Sequence, residues 1–375
     1  MLPSRRVRIL IDYRPALRQR TGVGEYAHQL AAALLRCLGP RDELTLFSSS
    51  WKDRLPRTVL PGARLVDVRV PVRILNFAWH RLEWPPVERL AGAVDVVHSM
   101  HPLLTPSRNA AQIITIHDLF FLNERHRTSR EVRRDYAPLA PSHARRAAVV
   151  IVISEYTARE VERRLGVERD RIFVCKPGAP TWLPRAQPKV YGPILFVGTL
   201  EYRKNVSALL DAYERLLSMR PDIPPLVLAG RASDQSGELL GRLAKQPLAG
   251  RARHLGYVTD EERERLYREA SLLVVPSHDE GFGLPALEAM SIGLPVVAAA
   301  RGALAEVAGG AASLVDADDA EALAAAIEAM LIDPVRYAEA VENGLRRARQ
   351  FSWDESASRL LAAYEAALRR RPTRA

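Results

Sequence analysis

Pro276-Ser277-His278-Asp279-Glu280-Gly281-Phe282-Gly283-Leu284-Pro285-Ala286-Leu287-Glu288-Ala289-Met290 follows the apolar run Leu272 to Val275 and precedes Gly293. The apolar run reads as a buried strand and the glycine-flanked stretch as a loop. Pro285 reads as the first residue of a helix that Gly293 stops. N–H groups at a helix start have no intrahelical acceptor, and Gly281 and Gly283 let a ligand come close to the backbone. The segment Gly281, Phe282, Gly283 and Leu284 is therefore a candidate polar-ligand site. Glu288 lies in the first turns of the helix, its side chain leaning back toward that start. A carboxylate repels phosphate but accepts two hydrogen bonds from a vicinal diol, which fits a ribose. Glu280, at the far end of the loop, is placed to meet a second polyol.

The same alternation of strand and helix extends in both directions. Toward the N-terminus, strands are expected at Val7 to Ile11, Leu44 to Phe47, Val94 to His98, Gln112 to Ile116 and Ala148 to Ile153. Helices are expected at Glu25 to Cys37 and near 129–147. Pro177 to Pro193 holds five prolines and no apolar period, so 178–193 reads as a linker. The pattern then restarts, with strands at 194–197, 226–228, 253–255, 272–275 and 295–299. Helices are expected over 206–218, 236–245, 260–270, 285–292 and 319–331, and an amphipathic helix over 353–371. Strands without polar alternation, separated by helices, predict parallel sheets covered on both faces. Two such α/β units, 1–177 and 194–350, would leave a cleft between the carboxyl ends of their sheets.

Composition bounds the alternatives. The chain of 375 residues is 47% hydrophobic and 26% charged, which is ordinary for a globular protein. Two cysteines, Cys37 and Cys175, exclude a disulfide scaffold. No apolar run approaches the twenty residues of a membrane span, and Val7 to Ile11 is too short for a signal-peptide core, so a cytoplasmic protein is expected. The net charge of +10 is uneven. The first 190 residues carry 32 Lys and Arg against 18 Asp and Glu, including Arg125, Arg127, Arg130, Arg133, Arg134, Arg145 and Arg146. That half is expected to meet something anionic, such as an anionic membrane or a phosphorylated acceptor. A nucleic-acid module is a rival reading, but aromatics are only 6% and no binding motif is visible.

Other motifs point to the same cleft. Arg203 and Lys204 follow strand 194–197 and the loop beginning at Gly198, where adjacent cations suit a diphosphate. Gly22-Val23-Gly24-Glu25-Tyr26-Ala27 matches G-x-G-x-x-A, which leaves open an NAD-dependent oxidoreductase. The next strand, however, ends in Ser48-Ser49-Ser50 rather than a ribose-binding acid. The loop then reads as a glycine turn facing the cleft. Asp316-Ala317-Asp318-Asp319 has the form of a D-x-D metal motif, but it precedes a helix, where aspartates cap N–H groups, so no metal is expected.

The string EGFGLPALEAM with Gly293-Leu294-Pro295-Val296-Val297 resembles the signature of retaining family 4 glycosyltransferases. The resemblance continues through Thr21 to Gly24, Ile116-His117-Asp118, Ile153-Ser154, Gly198-Thr199, Arg203-Lys204-Asn205, Leu255-Gly256-Tyr257-Val258 and Phe351-Ser352-Trp353. It implies the GT-B fold, two Rossmann-like domains facing across a cleft, with the last helix returning to the first domain. It also implies a nucleotide-sugar donor whose ribose meets Glu288, whose hexose meets Glu280 and whose diphosphate meets Arg203 and Lys204 in place of a metal. His117 would sit near the donor sugar, and the loop at Tyr257 and Val258 would choose the base. The pattern of Ile11-Asp12-Tyr13-Arg14 with Thr21-Gly22-Val23-Gly24 resembles the subgroup rich in GDP-mannose-dependent mannosyltransferases of polysaccharide assembly, with saccharide or lipid-diphosphate-linked acceptors. An epimerase of the same fold is a further alternative.

Overall fold

The computed structural model describes residues 6–17, 20, 22–123, 128, 132–187, 189 and 191–370. Thr21, Arg125, Arg127, Arg130, Pro188, Val190 and Arg371, all within segments read above, lie outside the described residues. The chain divides into two compact units, one of residues 1–178 with 352–375, the other of 179–351.

In the first unit the strands are β1 (Arg8–Asp12), β2 (Glu43–Ser49), β3 (Arg64–Val68), β4 (Val96–Ser99), β5 (Ala111–Ile116), β6 (Val149–Val152) and β7 (Ile172–Val174). Its helices are α1 (Val23–Cys37), α2 (Val72–Arg81), α3 (Glu88–Ala91), α4 (Phe120–Asn123), α5 (Ala137–Arg146) and α6 (Glu155–Leu165). All strands run parallel in the order β3-β2-β1-β4-β5-β6-β7, so the order reverses between β1 and β4. The central strands are buried along nearly their whole length, which suits the Val and Ile that recur in them without polar alternation. Ser154 Oγ caps α6 by accepting from the Thr157 N–H at 3.0 Å.

The second unit contains β8 (Ile194–Val197), β9 (Leu226–Ala229), β10 (Ala252–His254), β11 (Leu272–Val275), β12 (Val296–Ala299) and β13 (Ser313–Val315). Helices α7 (Val206–Met219), α8 (Gly237–Leu243), α9 (Asp260–Glu269), α10 (Leu284–Ser291), α11 (Leu304–Ala308), α12 (Ala320–Ile332) and α13 (Pro334–Ala348) surround them. The parallel order is β10-β9-β8-β11-β12-β13, reversing between β8 and β11. Helix α7 shows why this sheet is covered. Val206, Leu209, Leu210, Tyr213, Leu216 and Leu217 recur at helical spacing and pack on Phe196, Leu228 and Val274. A closing helix α14 (Trp353–Arg369) belongs to the first unit, where Trp353 packs against Tyr26 and Tyr364 hydrogen-bonds His98 at 2.8 Å.

Several elements escape the sequence pattern. Strand β3 interleaves Arg64 and Asp67 with its apolar residues because it is an edge, and β7 and β13 are only three residues long. Helix α13, started by the Asp333 cap and Pro334, and helix α2 were not expected. Over the expected 129–147 helix, the described part is a short turn at Val132–Tyr136 followed by α5. Helix α10 begins at Leu284, which makes Pro285 its second residue. The presumed linker carries no helix or strand among its described residues. It is nevertheless fastened to the second unit, since Arg185 donates to the Ala270 carbonyl at 2.7 Å and to the Gly293 carbonyl at 2.5 Å. Among the described residues no helix is long and apolar enough to cross a membrane.

The first unit buries neutral histidines. Burial pushes His98 and His80 down to about 3 and His143 to about 4. The unfolded chain takes up these protons near its ordinary value of about 6.5 while the fold refuses them, so stability is full above that pH and falls below it. Each histidine contributes a slope of about 1.4 kcal/mol per pH unit. The urea midpoint is therefore expected to drop continuously from about pH 6.5 to about pH 4.5. A flat midpoint over that interval would show that these rings are protonated in the fold.

Candidate functional site

In open α/β sheets ligands bind outside the carboxyl ends of the strands where the strand order reverses. In the second unit that place is the pair of loops after β8 and β11. The first contains Gly198, Arg203 and Lys204, the second His278 to Gly283. A backbone bond from the His278 N–H to the Arg203 carbonyl, 2.8 Å, ties the two loops. The Lys204 ammonium lies 2.5 Å from Glu280 Oε1, and Ser277 Oγ donates to the same oxygen at 2.8 Å. Arg203 approaches the other oxygen, Oε2, at 3.9 Å and Glu201 at 3.2 Å. Glu280 is 5% exposed. Burial raises its pKa, but the charges of Lys204 and Arg203, with the bonds from Lys204 and Ser277, outweigh burial and hold it below the ordinary value. The carboxylate is thus ionised, with Oε1 saturated and Oε2 facing Arg203.

Gly302 fixes the Glu280 backbone. Ala303 donates to the Glu280 carbonyl at 2.9 Å, and a Cβ on Gly302 would stand 2.7 Å from both the nitrogen and the oxygen of Glu280. Only glycine lets these chains approach so closely, and its φ of +60° also disfavours other residues. No local pattern marked Gly302, because its constraint comes from Glu280, 22 residues earlier.

Glu288 is held apart from this cluster. It sits on α10, whose N-cap is Gly283, and accepts from the buried Tyr267 hydroxyl at 2.7 Å, with Arg263 at 3.5 Å. Burial first, and then the Glu288 charge, raise the Tyr267 pKa, so this phenol is a fixed donor. Trp182 packs on Tyr267 with ring centroids 5.6 Å apart, and the Arg263 guanidinium lies 5.7 Å from the Trp182 ring centre. Arg263 and Tyr267 are one turn apart on α9, and their common partner on another helix left no signal in sequence. Tyr257 and Val258 follow β10 at the same carboxyl edge, two strands from β8, and Arg231 covers the Tyr257 ring at 5.1 Å. Phe282 is buried against Phe351.

The remaining sequence candidates belong to the first unit. Gly22 is the N-cap of α1. Gly24 admits the Pro15 carbonyl, which would lie 2.6 Å from any Cβ there. His117 follows β5, edge-on to Tyr26, with Nε2 donating to the Met100 carbonyl at 3.2 Å. Burial lowers its pKa to about 4 despite that carbonyl. The ring is therefore neutral, with its lone pair on Nδ1, and it can accept from a hydroxyl but cannot lend positive charge. At the reversal between β1 and β4, buried Asp12 accepts from Arg14 at 2.6 and 2.8 Å and faces His101 Nε2 at 3.2 Å, while Arg14 also donates to Asn76 at 2.7 Å. His101, the partner of Asp12 there, is a residue that sequence reasoning did not single out.

Asp319 caps α12 by accepting from the Glu321 and Ala322 N–H groups at 2.9 and 3.0 Å. Asp316 and Asp318 pair with Arg301, and Asp318 also with His278. Among the described residues no group of three His, Cys, Asp or Glu could hold a metal ion.

Residues 20–182 match the family described as Glycosyltransferase Family 4, and residues 186–347 that described as Glycosyl transferases group 1. An "O-antigen chain mannosyltransferase B" of Escherichia coli is 31% identical over 387 residues, covering 96% of this chain and all of that protein. Among solved structures, a sucrose-phosphate synthase from Thermosynechococcus elongatus superposes with a TM-score of 0.75 at 21% identity, covering 96% and 98% of the two chains. An Anabaena protein in complex with UDP-glucose gives 0.72 at 19% identity, covering 95% and 99%.

The Glu280 cluster makes a stability prediction. Lys204→Met strands a buried carboxylate and is expected to cost about 3 kcal/mol. The double variant Lys204→Met/Glu280→Gln is expected to recover at least about half of that loss. Denaturant titration of the four proteins measures the coupling, and additive losses would show that the two side chains do not interact.

Proposed function

The chain belongs to the family 4 glycosyltransferases of GT-B fold, and on that footing we propose that it carries mannose from GDP-mannose to a saccharide or lipid-diphosphate-linked acceptor. The transfer retains anomeric configuration and serves the assembly of a surface polysaccharide in the cytoplasm, where Cys37 and Cys175 stay as free thiols. The donor sugar is read from the full-length similarity to the Escherichia coli mannosyltransferase. The observation that carries the site assignment is the ion cluster of Lys204, Arg203 and Glu280 at the strand-order reversal of the donor-side sheet.

In this reading the bond between the anomeric carbon and the β-phosphate oxygen breaks, and its electron pair stays on the diphosphate. Arg203 and Lys204 meet that growing negative charge, already held in place by Glu280, so little reorganisation accompanies the transition state. The acceptor oxygen bonds to the anomeric carbon on the face the diphosphate leaves, and its proton passes to the departing phosphate oxygen. Glu280 Oε2 takes a hexose hydroxyl, Glu288 takes the ribose diol, and Tyr267 keeps the Glu288 carboxylate aimed. His117 accepts from a sugar hydroxyl through Nδ1. The helix start at Gly281 to Leu284, with Gly22, Gly24 and Gly198, lets backbone come near the donor, and the Tyr257–Val258 loop faces the base. The two cations take the place of a divalent metal.

Lys204→Ala is expected to lower kcat/KM about 10²–10³-fold. Tyr267→Phe is expected to raise KM for the nucleotide sugar about tenfold, with kcat held within a few-fold. Steady-state kinetics of the folded variants check both, and near-wild-type turnover of the Lys204→Ala protein would remove the diphosphate assignment. Transfer in EDTA is expected to match transfer in Mg²⁺. A thermal-shift panel of GDP, UDP and ADP, with anomeric NMR of the product, tests donor and stereochemistry. Selective stabilisation by UDP, or an inverted product, would overturn the respective half.

A further inference from the structure

Helix α2 is apolar on two sides. Its inner side, Leu75 and Trp79, packs with Leu10, Phe47 and Val87 in the core of the first unit, and Trp79 Nε1 donates to the Pro85 carbonyl at 3.0 Å. Its outer side carries Ile74 and Phe77, each 61% exposed, and the turn that follows adds Leu82 at 62% and Trp84 at 53%. The Trp84 N–H returns to the Ala78 carbonyl, so this indole sits on the end of α2 rather than away from it. Exposed Trp51 leaves β2 beside the start of α2, since the Ser50 N–H donates to the Val68 carbonyl and Ser49 Oγ to the Val70 carbonyl. Scattered exposed hydrophobics are ordinary, but aromatic and branched residues gathered on one short helix and its flanks are not.

Arginines predominate among the charges around this face, while exposed Glu83, in the turn between Leu82 and Trp84, is paired with Arg146. Arg69, Arg73, Arg81 and Arg89 are all exposed, Arg89 covers the Trp84 ring at 5.8 Å, and Arg69 and Arg73 make no ion pair with any described residue. The more conspicuous basic run further along the chain is differently placed. Among its described members, Arg134 pairs with Asp135, Arg146 with Glu83, and Arg145 donates to the Leu165 carbonyl. A helix with Ile74 and Phe77 on its outer side, Trp84 in the turn that follows and arginines at its margin matches the headgroup boundary of an anionic bilayer. The apolar side chains enter the acyl edge, the indole stays at the headgroup level, and the guanidinium groups meet lipid phosphates.

We propose that the outer face of α2, with Trp51 and Trp84 at its ends, docks the protein on an anionic lipid surface. The contact uses Ile74 and Phe77 for insertion and Arg69 and Arg73 for attraction. It rests on no assignment of donor or acceptor, so a failure of mannosyl transfer leaves it standing and its own failure leaves the transfer reading standing.

Co-sedimentation of the full chain with two kinds of vesicle tests it, one of phosphatidylcholine alone and one with a third of phosphatidylglycerol. The wild-type protein is expected to pellet with the anionic vesicles and to stay in the supernatant with the neutral ones. Ile74→Gln/Phe77→Gln is expected to weaken partition at least about tenfold. Arg69→Ala/Arg73→Ala is expected to weaken it roughly five-fold per arginine. Met219→Gln, a change at an exposed apolar residue of the other unit, is expected to behave as wild type. Unchanged melting curves show that the surface variants fold. Equal binding to both vesicles, or undiminished binding of the Gln pair, would overturn the proposal. So would a wild-type dimer in light scattering that the Gln pair splits while neither protein binds lipid, which would make the face a contact between two copies of this chain.

Discussion

Burying a carboxylate is unfavourable unless opposite charge and hydrogen bonds replace the lost water. The second unit meets that requirement at Glu280, and much of its local order follows. Lys204 and Arg203 come from the loop after β8, and Glu280 with Ser277 from the loop after β11. These strands are neighbours only because the sheet reverses its order there. The ion cluster therefore closes the gap between two loops that diverge to opposite ends of the sheet. Gly302 adds the third wall by admitting the Glu280 backbone at a distance no side chain allows. A site of fixed charge, present before any ligand arrives, is what electrostatic stabilisation of a departing diphosphate requires.

The two glutamates of the signature are handled by different physics. Glu280 is surrounded by full positive charges and keeps one oxygen committed to Lys204 and Ser277. Glu288, eight residues on, is directed by a neutral phenol and a more distant guanidinium. A neutral donor fixes the direction of a carboxylate without cancelling its charge, and the surrounding Trp182 ring keeps that donor in place. One position is suited to cooperation with cations, the other to accepting hydrogen bonds from a neutral diol.

The first unit applies the opposite rule. His98, His80 and His143 are kept uncharged by burial, and His117 is committed through Nε2 to a backbone carbonyl. Its concentrated charge pair, Asp12 with Arg14, lies at the β1–β4 reversal, where burial opposes ionisation of Asp12 but Arg14 and His101 overcome it and lower its pKa. Arg69 and Arg73, exposed and without an ion pair among the described residues, adjoin helix α2, whose outer side is apolar.

The sequence by itself determined the class of fold and the charged residues that meet where the second sheet reverses its order. Unbroken apolar strands between amphipathic helices require parallel sheets covered on both faces. Two cations after one strand and two acids around the start of a helix are local patterns, and the chain places them directly. Asp319 was legible as a cap for the same reason, since a cap acts within three residues, whereas Asp316 and Asp318, read with it as caps, pair instead with Arg301 from the loop after β12. Tertiary structure alone decided which side chains stand behind them. Tyr267, Arg263, Trp182 and Gly302 act on residues from other elements, and nothing in their own neighbourhoods announces it. His101 reaches Asp12 from 89 positions away. Helix α2 is the sharpest case, because its sequence shows that it is apolar, while only the packed sheet determines which of its apolar residues are used inside and which are left facing out.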